Sequence, residues 1–223
     1  MKKIEKILMC LLVGLFLAAC SGSGELETPK TGVLNPNELH NKDNEFSLGT
    51  VNNNVYENKF IGIGVDLGDE WIFYNEEQIQ TVNNYTIQMA GEEFEEAMKK
   101  ATIVYDMLAL NINGVNSINI NLEKGNNDQI ANLNIRSYLE QVVPMVKDTY
   151  ENMGFTNIVE SYETLKIEDS EFLSLVVNCE FQTIQYRVVS IPIKCNGYIS
   201  SVSIFTYANT NLDSLFDKFY IIK

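Results

Sequence analysis

The chain has 223 residues, 45% hydrophobic and 21% charged, a composition typical of one globular domain and too apolar for a disordered chain. Its 16 Lys and Arg against 30 Asp and Glu give a net charge of −14, which repels phosphate backbones and excludes nucleic acid as a favoured partner. The single histidine, His40, excludes any mechanism that needs two imidazoles.

Residues 1–19 have the pattern of a cleaved targeting segment. Three lysines precede an apolar run over residues 7–17, which is too short to cross about 30 Å of hydrocarbon as a permanent helix. Residues 17–20 read Leu-Ala-Ala-Cys and are followed by Ser and Gly. This run resembles a bacterial lipobox, which in lipoproteins directs attachment of a lipid to the cysteine and cleavage just before it.

The lipobox resemblance implies that Cys20 carries a lipid anchor in the cell membrane, on the extracytoplasmic face. Loss of the signal would remove three Lys and one Glu and change the net charge from −14 to −16. Two acyl chains anchor a protein stably, so the acidic domain needs no basic patch to reach the membrane. The alternative is an ordinary secretory signal with a chance cysteine at the cleavage point.

Residues 20–50 lack periodicity and collect Gly, Ser, Pro and Asn, so we expect a lipidated cysteine and a flexible tether that includes His40. The domain then spans residues 51–223. Its first strand is predicted by the alternation of apolar residues over residues 60–67. A capping box at Asn75–Gln78 predicts a short helix to about Val82, and a second helix is expected over Glu92–Lys100.

Residues 102–124 are predicted to form a hairpin. Leu108, Leu110 and Ile112 share a face with Ile118, Ile120 and Leu122 only if Leu110 pairs with Ile120 and Asn111 with Asn119. That register makes residues 114–116 a three-residue loop and leaves the asparagines on the opposite face.

The pattern in the second half of the sequence predicts a long helix followed by four strands and a final short helix. Asn134 caps the helix over about Ile135–Met153, Pro144 should kink or divide it, and Gly154 ends it. Strands are expected over residues 157–168, 171–181, 184–195 and 198–207, and a helix over Asn211–Phe219. The pattern predicts one α+β domain, an antiparallel sheet sandwiched by helices.

The run from Val55 to Val65, followed by Glu70 and Trp71, is similar to the opening of bacterial lipoproteins with the PsbP/Mog1-like fold. The resemblance covers about residues 51–223 as a pattern of elements, and it departs where this chain has Leu67 and Gly68 before the tryptophan. It implies the same antiparallel sheet sandwiched by helices. The family's roles span photosystem accessories, GTPase binding and uncharacterised surface lipoproteins, so no catalytic motif is carried over.

Three charged or glycine-rich clusters are candidate sites of chemistry. Gly62–Gly68 approaches a dinucleotide fingerprint, but no helix follows it; the glycines instead suit close approach of another segment. Asp66, Asp69 and Glu70 match no EF-hand spacing and indicate a solvated turn rather than a calcium site. The acids at positions 92, 93, 95 and 96 suit a solvated helix face better than a glycosidase pair.

The remaining candidates are polar and aromatic residues of the strands. Trp71 is expected in the core or at its rim rather than stacked on a sugar. Four hairpin asparagines form either a polar binding face or, as the favoured interpretation, a solvated sheet face: Asn111, Asn113, Asn119 and Asn121. Cys179 and Cys195 are expected to be buried thiols, too far apart to bond.

The sequence therefore predicts a lipid-anchored binding or accessory domain at the cell envelope and favours a docking domain over an enzyme. We assign no catalytic, cofactor-binding or metal-binding residue, and Cys20 as the lipidation site. A protein or other envelope component is the expected partner beside the membrane itself. The alternatives are a carboxylate-based envelope hydrolase and a lipoprotein that binds a small molecule or ion.

Overall fold

The described residues form two antiparallel sheets that pack face to face, with a long helix on the outer face of the larger one. The structure is a computed structural model and describes residues 39, 45–81, 84, 103–113, 116–125 and 130–222. The strands are β1 (Thr50–Asn52), β2 (Val55–Asn58), β3 (Ile63–Asp66), β4 (Trp71–Phe73), β5 (Ile103–Asn111), β6 (Ser117–Lys124), β7 (Thr156–Ile167), β8 (Ser170–Phe181), β9 (Ile184–Cys195), β10 (Tyr198–Tyr207) and β11 (Phe219–Ile221).

The large sheet has the strand order β4-β5-β6-β10-β9-β8-β7, and the small sheet has the order β1-β2-β3-β11. The last strand of the chain pairs with β3 and so closes the small sheet. The helices are α1 (Ile135–Asn152) and α2 (Asp213–Phe216), and residues 76–81 are also helical.

Each face of the large sheet buries its own core. On one face, hereafter the helix side, Tyr138, Leu139 and Val142 of α1 pack against Val177 and Val188. The other face, the small-sheet side, buries a second cluster with residues from both sheets: Tyr56, Ile63, Val65, Ile118, Ile120, Val176, Ile191 and Val202 among them. Because both faces are covered, the central strands are buried at nearly every position.

The fold is α+β and mostly antiparallel, as the sequence predicts, but the expected helical cover holds for one face only. The small sheet covers the other face, because its short strands turn apolar residues such as Tyr56 and Val65 toward the large sheet. The first predicted helix begins with the expected capping box, in which Asn75 and Gln78 each accept a 2.9 Å bond from the other's backbone N–H. The second predicted helix, Glu92–Lys100, lies outside the described residues.

The predicted register of the β5–β6 hairpin is wrong. Leu110 pairs with Ser117 and Leu108 with Asn119, while Met107 pairs with Ile120 and Ala109 with Ile118, so Leu110 and Ile120 lie on opposite faces. A β-bulge between Tyr105 and Met107 inserts Asp106 and shifts the pairing. The prediction assumed one apolar and one solvated face, and a sheet covered on both sides removes that constraint.

The turn of this hairpin is also longer than predicted. The backbone N–H of Asn111 donates to the carbonyl of Asn116 at 2.9 Å, which leaves residues 112–115 as the loop. Gly114 and Val115 of the predicted loop lie outside the described residues.

The second half of the chain follows the sequence closely. Asn134 caps α1 by accepting a 3.0 Å bond from Ser137 N–H, and the helix runs through Pro144 as one element. Gly154 follows the helix with φ of 87°, the left-handed conformation that glycine adopts freely. The four strands β7 to β10 have bounds within one residue of the prediction. The final helix is shorter than predicted, since Phe219 begins β11.

Both described cysteines are free, as predicted. Cys179 is buried on the helix side, whereas Cys195 is half-buried and packs on the small-sheet side, so the sheet itself separates the two thiols. Among the described residues, no helix combines the length and apolar character needed to cross a membrane.

Candidate functional site

A row of polar side chains runs along the helix side of β6. Successive residues of a strand point to opposite faces, so four alternate residues share this face: Ser117, Asn119, Asn121 and Glu123. We call them the polar row. All four are buried, with Asn121 only 1% exposed and Glu123 only 3% exposed.

The neighbouring strands extend the polar row sideways. Ser203 of β10 lies opposite Asn119, and Ser201 lies opposite Asn121. Ser190 of β9 lies opposite Ser203 in turn. The three serines form a buried hydroxyl cluster. The oxygens of Ser190 and Ser201 are 2.8 Å apart, and the Ser203 oxygen lies 3.2 Å from that of Ser201 and 3.3 Å from that of Ser190.

The serine cluster is hydrogen-bonded within itself, but the polar row is not. In the part of the chain that the structure describes, five buried side-chain atoms have no hydrogen-bond partner: Ser117 Oγ, Asn119 Oδ1, both amide atoms of Asn121, and Glu123 Oε2. All five belong to the polar row. A buried polar atom without a hydrogen-bond partner lowers the stability of the folded state by about 1–3 kcal/mol, so the polar row destabilises the fold.

Burial also changes the ionisation of the row's single acid. Desolvation raises the pKa of Glu123 to about 8, so its carboxyl group is mostly protonated at neutral pH. Across the strands, Lys194 occupies the same face, separated from Glu123 by Ile199. The Lys194 ammonium donates to the carbonyl of Ala131 at 3.2 Å.

The small-sheet side holds a polar group of the opposite kind. Asp106, the extra residue of the β5 bulge, accepts hydrogen bonds from the Tyr56 hydroxyl at 2.5 Å, the Asn58 amide at 2.5 Å and the Gly49 backbone N–H at 2.8 Å. Burial, together with the Asp106 charge, holds the pKa of Tyr56 well above its usual value, so the phenol stays a donor. This Asp106 network ties β2 and the segment before β1 to the large sheet.

The structure divides the four asparagines singled out in the sequence. Asn119 and Asn121 are buried in the polar row, and Asn111 is buried on the other face, opposite Trp71, so the favoured interpretation of a solvated face is wrong for these three. Asn113 is exposed. Glu123 and the three serines were not singled out; the i, i+2 spacing of Asn119, Asn121 and Glu123 was the available signal.

The other sequence candidates occupy ordinary structural positions. Trp71 is buried in the core on the small-sheet side. Asp69 lies in an exposed turn and accepts a 2.8 Å bond from the Asn54 amide. Gly64 lets the Tyr220 ring approach β3, since a Cβ there would lie 2.2 Å from the ring. Among the described residues, no three His, Cys, Asp or Glu side chains gather as metal ligands.

The lipidation candidate Cys20, His40 and the acids at positions 92, 93, 95 and 96 lie outside the described residues. The segment just before β1 is described, and it packs on the domain. Phe46 stacks on Tyr198 with ring centroids 4.9 Å apart and meets Phe60 edge-on at 5.5 Å. Together with the bond from Gly49 to Asp106, these contacts hold the chain at the entry to the domain.

A concave surface lies where β9 begins and β10 ends. It is an open depression of about 530 Å³ lined by Ile184, Gln185, Tyr207, Ala208 and Asn209, and its lining contains no carboxylate. Ile184 is 42% exposed. The preceding turn residues Gln182 and Thr183 both have positive φ, which is strained for the β-branched threonine.

Comparison with known proteins does not assign the chain to a family. No family model matches the sequence, and no curated protein matches it. The solution structure of cyanobacterial PsbP (CyanoP) from Synechocystis sp. PCC 6803 is similar with a TM-score of 0.45 and 10% identity, over 79% of this chain and 94% of that one.

A crystal structure from Bacteroides thetaiotaomicron VPI-5482 is similar with a TM-score of 0.41 and 11% identity, over 73% of this chain. This chain spans 46% of the length of that protein. The polar row and its chemistry must therefore be interpreted from this chain alone.

Proposed function

We propose that this protein is a membrane-anchored lipoprotein whose PsbP/Mog1-like domain binds a small polar ligand at the cell envelope. The anchor is the lipid on Cys20, and the domain stands on the extracytoplasmic face. The single observation that supports binding is the polar row, with five buried polar atoms left without a partner. Folding alone favours apolar side chains at such positions, so a ligand gives a physical reason for the polar ones.

The same geometry favours binding over hydrolysis. Glycoside hydrolysis uses two carboxyl groups that face each other across the substrate, about 5–9.5 Å apart. The polar row contains one carboxyl group, Glu123, and its other members are amides and a hydroxyl. Amides and hydroxyls hold and orient a ligand by hydrogen bonds, and they do not ionise at neutral pH as a general acid or base must.

The anchor is tested by fractionation of cells that express Cys20→Ala. We expect this variant to lose incorporation of labelled palmitate and to leave the membrane fraction. Cys10→Ala is the matched control, because Cys10 lies within the apolar run of the signal and should remain lipidated. Equal membrane retention of Cys20→Ala would contradict the anchor. Protease added to intact cells or spheroplasts should digest the domain if it faces outward.

Docking to a protein or another envelope component is the second candidate. The open depression beside the exposed Ile184 is the observation that favours it. A photo-crosslinking residue at position 184 should then capture one defined partner in intact cells, and the same residue at position 112, where Ile112 is also exposed, should not. Equal capture from both positions would argue against docking at the depression.

A further inference from the structure

The size of the polar patch limits what it can hold. Neighbouring residues on one face of a strand are about 6.8 Å apart, and adjacent strands are about 4.8 Å apart. Asn119 and Asn121 with the three opposing serines therefore cover roughly 7 by 10 Å. Apolar residues border this area, with Phe205 and Val188 beyond the Asn119 end and Ile199 beyond the Asn121 end. The patch matches a compact molecule about the size of one sugar ring.

The unpartnered atoms indicate which groups such a molecule carries. Four of the five are oxygens that accept hydrogen bonds, and the fifth is the Asn121 amide nitrogen, which donates. An ammonium ion only donates, and a carboxylate or phosphate only accepts. Hydroxyl groups do both, so a polyhydroxylated molecule over this area can satisfy the three unpartnered atoms of Asn119 and Asn121.

Charge excludes ionic ligands on independent grounds. Burying an ion is favourable only when an opposite charge meets it. The raised pKa of about 8 leaves Glu123 neutral at pH 7, and the Lys194 ammonium is directed at the Ala131 carbonyl. The described part of the patch therefore presents no carboxylate ready for a cation and offers an anion no ammonium of its own.

A hard metal ion is also a poor fit to this arrangement. Calcium takes six to eight oxygens at about 2.3–2.6 Å, whereas members of the polar row are about 6.8 Å apart along the strand. One ion would reach at most two adjacent side chains of the row. Tyr105 of β5 lies directly opposite Asn121 on the same face and is half-buried, so an aromatic ring borders the patch.

We infer that the polar row and the serine cluster bind a neutral, polyhydroxylated small molecule, a monosaccharide or a polyol of the same size. The inference rests on the proposed function and specifies its ligand. Asn119 and Asn121 contact the hydroxyl groups, and Tyr105 borders the ring. The side chains of the patch are almost completely buried, so we expect a bound ligand to dissociate slowly enough to survive purification.

The test uses the full-length lipidated protein in detergent. Native mass spectrometry measures any retained small molecule, and denaturation releases it for chemical analysis. In parallel, calorimetric titration measures the affinity for D-glucose, D-galactose, N-acetyl-D-glucosamine and myo-inositol, with spermidine and Ca²⁺ as charged probes. We expect a neutral hydroxylated compound, either retained or bound in titration at one per chain.

Asn121→Leu should weaken that binding at least tenfold. Ser201→Ala is a second variant of the patch and should weaken the binding by a smaller factor. Asn113→Leu is the matched control, because Asn113 is exposed on the same hairpin, and its affinity should stay within twofold of the wild type. Melting curves establish that each variant is folded.

The outcomes separate the ligand class from the function. A retained or titrated ligand that is charged overturns the neutral class and leaves the binding function standing. A protein that retains nothing and binds no probe overturns both. Binding of a sugar that Asn121→Leu does not weaken places the ligand elsewhere and overturns the inference about this patch.

Discussion

The two faces of the large sheet differ in whether their buried polar groups have hydrogen-bond partners. On the small-sheet side, the Asp106 carboxylate accepts three hydrogen bonds and joins β2 and the segment before β1 to β5. On the helix side, the polar row keeps five atoms without partners in the described structure. A satisfied group contributes to the stability of the fold, whereas unsatisfied groups reduce it. The comparison therefore distinguishes a structural polar site from a candidate binding site.

The largest effect is expected from Asp106→Ala. Loss of the carboxylate leaves the Tyr56 hydroxyl and the Gly49 N–H without their acceptor, and it leaves the Asn58 amide only its 3.3 Å bond to the carbonyl of Ser47. We expect the free energy of unfolding to fall by about 3 kcal/mol, measured by urea denaturation. Asp148→Ala, at an exposed position of α1, is the control and should change it by less than about 0.5 kcal/mol. Equal losses of stability from the two substitutions would contradict a structural role of the Asp106 network.

Glu123→Gln tests the helix side through its pH dependence. Burial raises the pKa of Glu123 from 4.5 to about 8, so between these values the unfolded chain releases a proton that the folded chain keeps. The free energy of unfolding of the wild type therefore falls as the pH rises, by up to about 1.4 kcal/mol per pH unit from this group.

The Glu123→Gln variant lacks this pH-dependent contribution, while all other groups contribute equally to the free energy of unfolding of both proteins. Its stability advantage should grow by about 2 kcal/mol between pH 6.0 and 7.5, measured by urea denaturation at each pH. Parallel stability profiles for the two proteins would mean that Glu123 is not desolvated as the structure places it.

Asn121→Leu should stabilise the ligand-free protein. Leucine is close to asparagine in size and removes two unpartnered buried atoms, so we expect the free energy of unfolding to rise by about 1.5 kcal/mol. The same substitution should weaken ligand binding at least tenfold, as described above. A loss of stability instead would show that the Asn121 amide is already satisfied within the fold, and the contrast between the two faces would disappear.

The smallest effect concerns the small sheet. A methyl group in Gly64→Ala would collide with the Tyr220 ring, whose hydroxyl donates to Glu57 at 2.9 Å. The ring tip can move, so we expect a cost of about 1 kcal/mol in thermal or urea unfolding. In a Tyr220→Ala background the same substitution should cost almost nothing. An unchanged cost there would mean that backbone strain, rather than the ring, is responsible.

Local signals predicted the second half of the fold because each element carries its own start and stop. Asn134 caps α1, Gly154 follows its end, and strands β7 to β10 alternate between turns. These are interactions within a few residues, which a linear sequence displays directly. The free state of Cys179 and Cys195 followed from the length of the hairpin, since Cys179 lies near the β8–β9 turn and Cys195 at the far end of β9.

Long-range contacts decided what the sequence did not show. The β5–β6 register depends on Asp106, whose bulge is held by donors about 50 residues earlier in the chain. Strand β11 is three residues long and exists because β3, near the start of the domain, offers it an edge. Short strands have little local preference, so their pairing is visible only in three dimensions.

The sequence by itself determined the polar identity of Asn119, Asn121 and Glu123 and their alternate spacing, and the proposed anchor at Cys20 rests on the sequence alone. Only the tertiary structure decided that these three side chains are buried. Alternation assigns residues to a face, but it does not say what covers that face. Burial depends on contacts from outside the strand, and it turns an ordinary polar strand face into the candidate site.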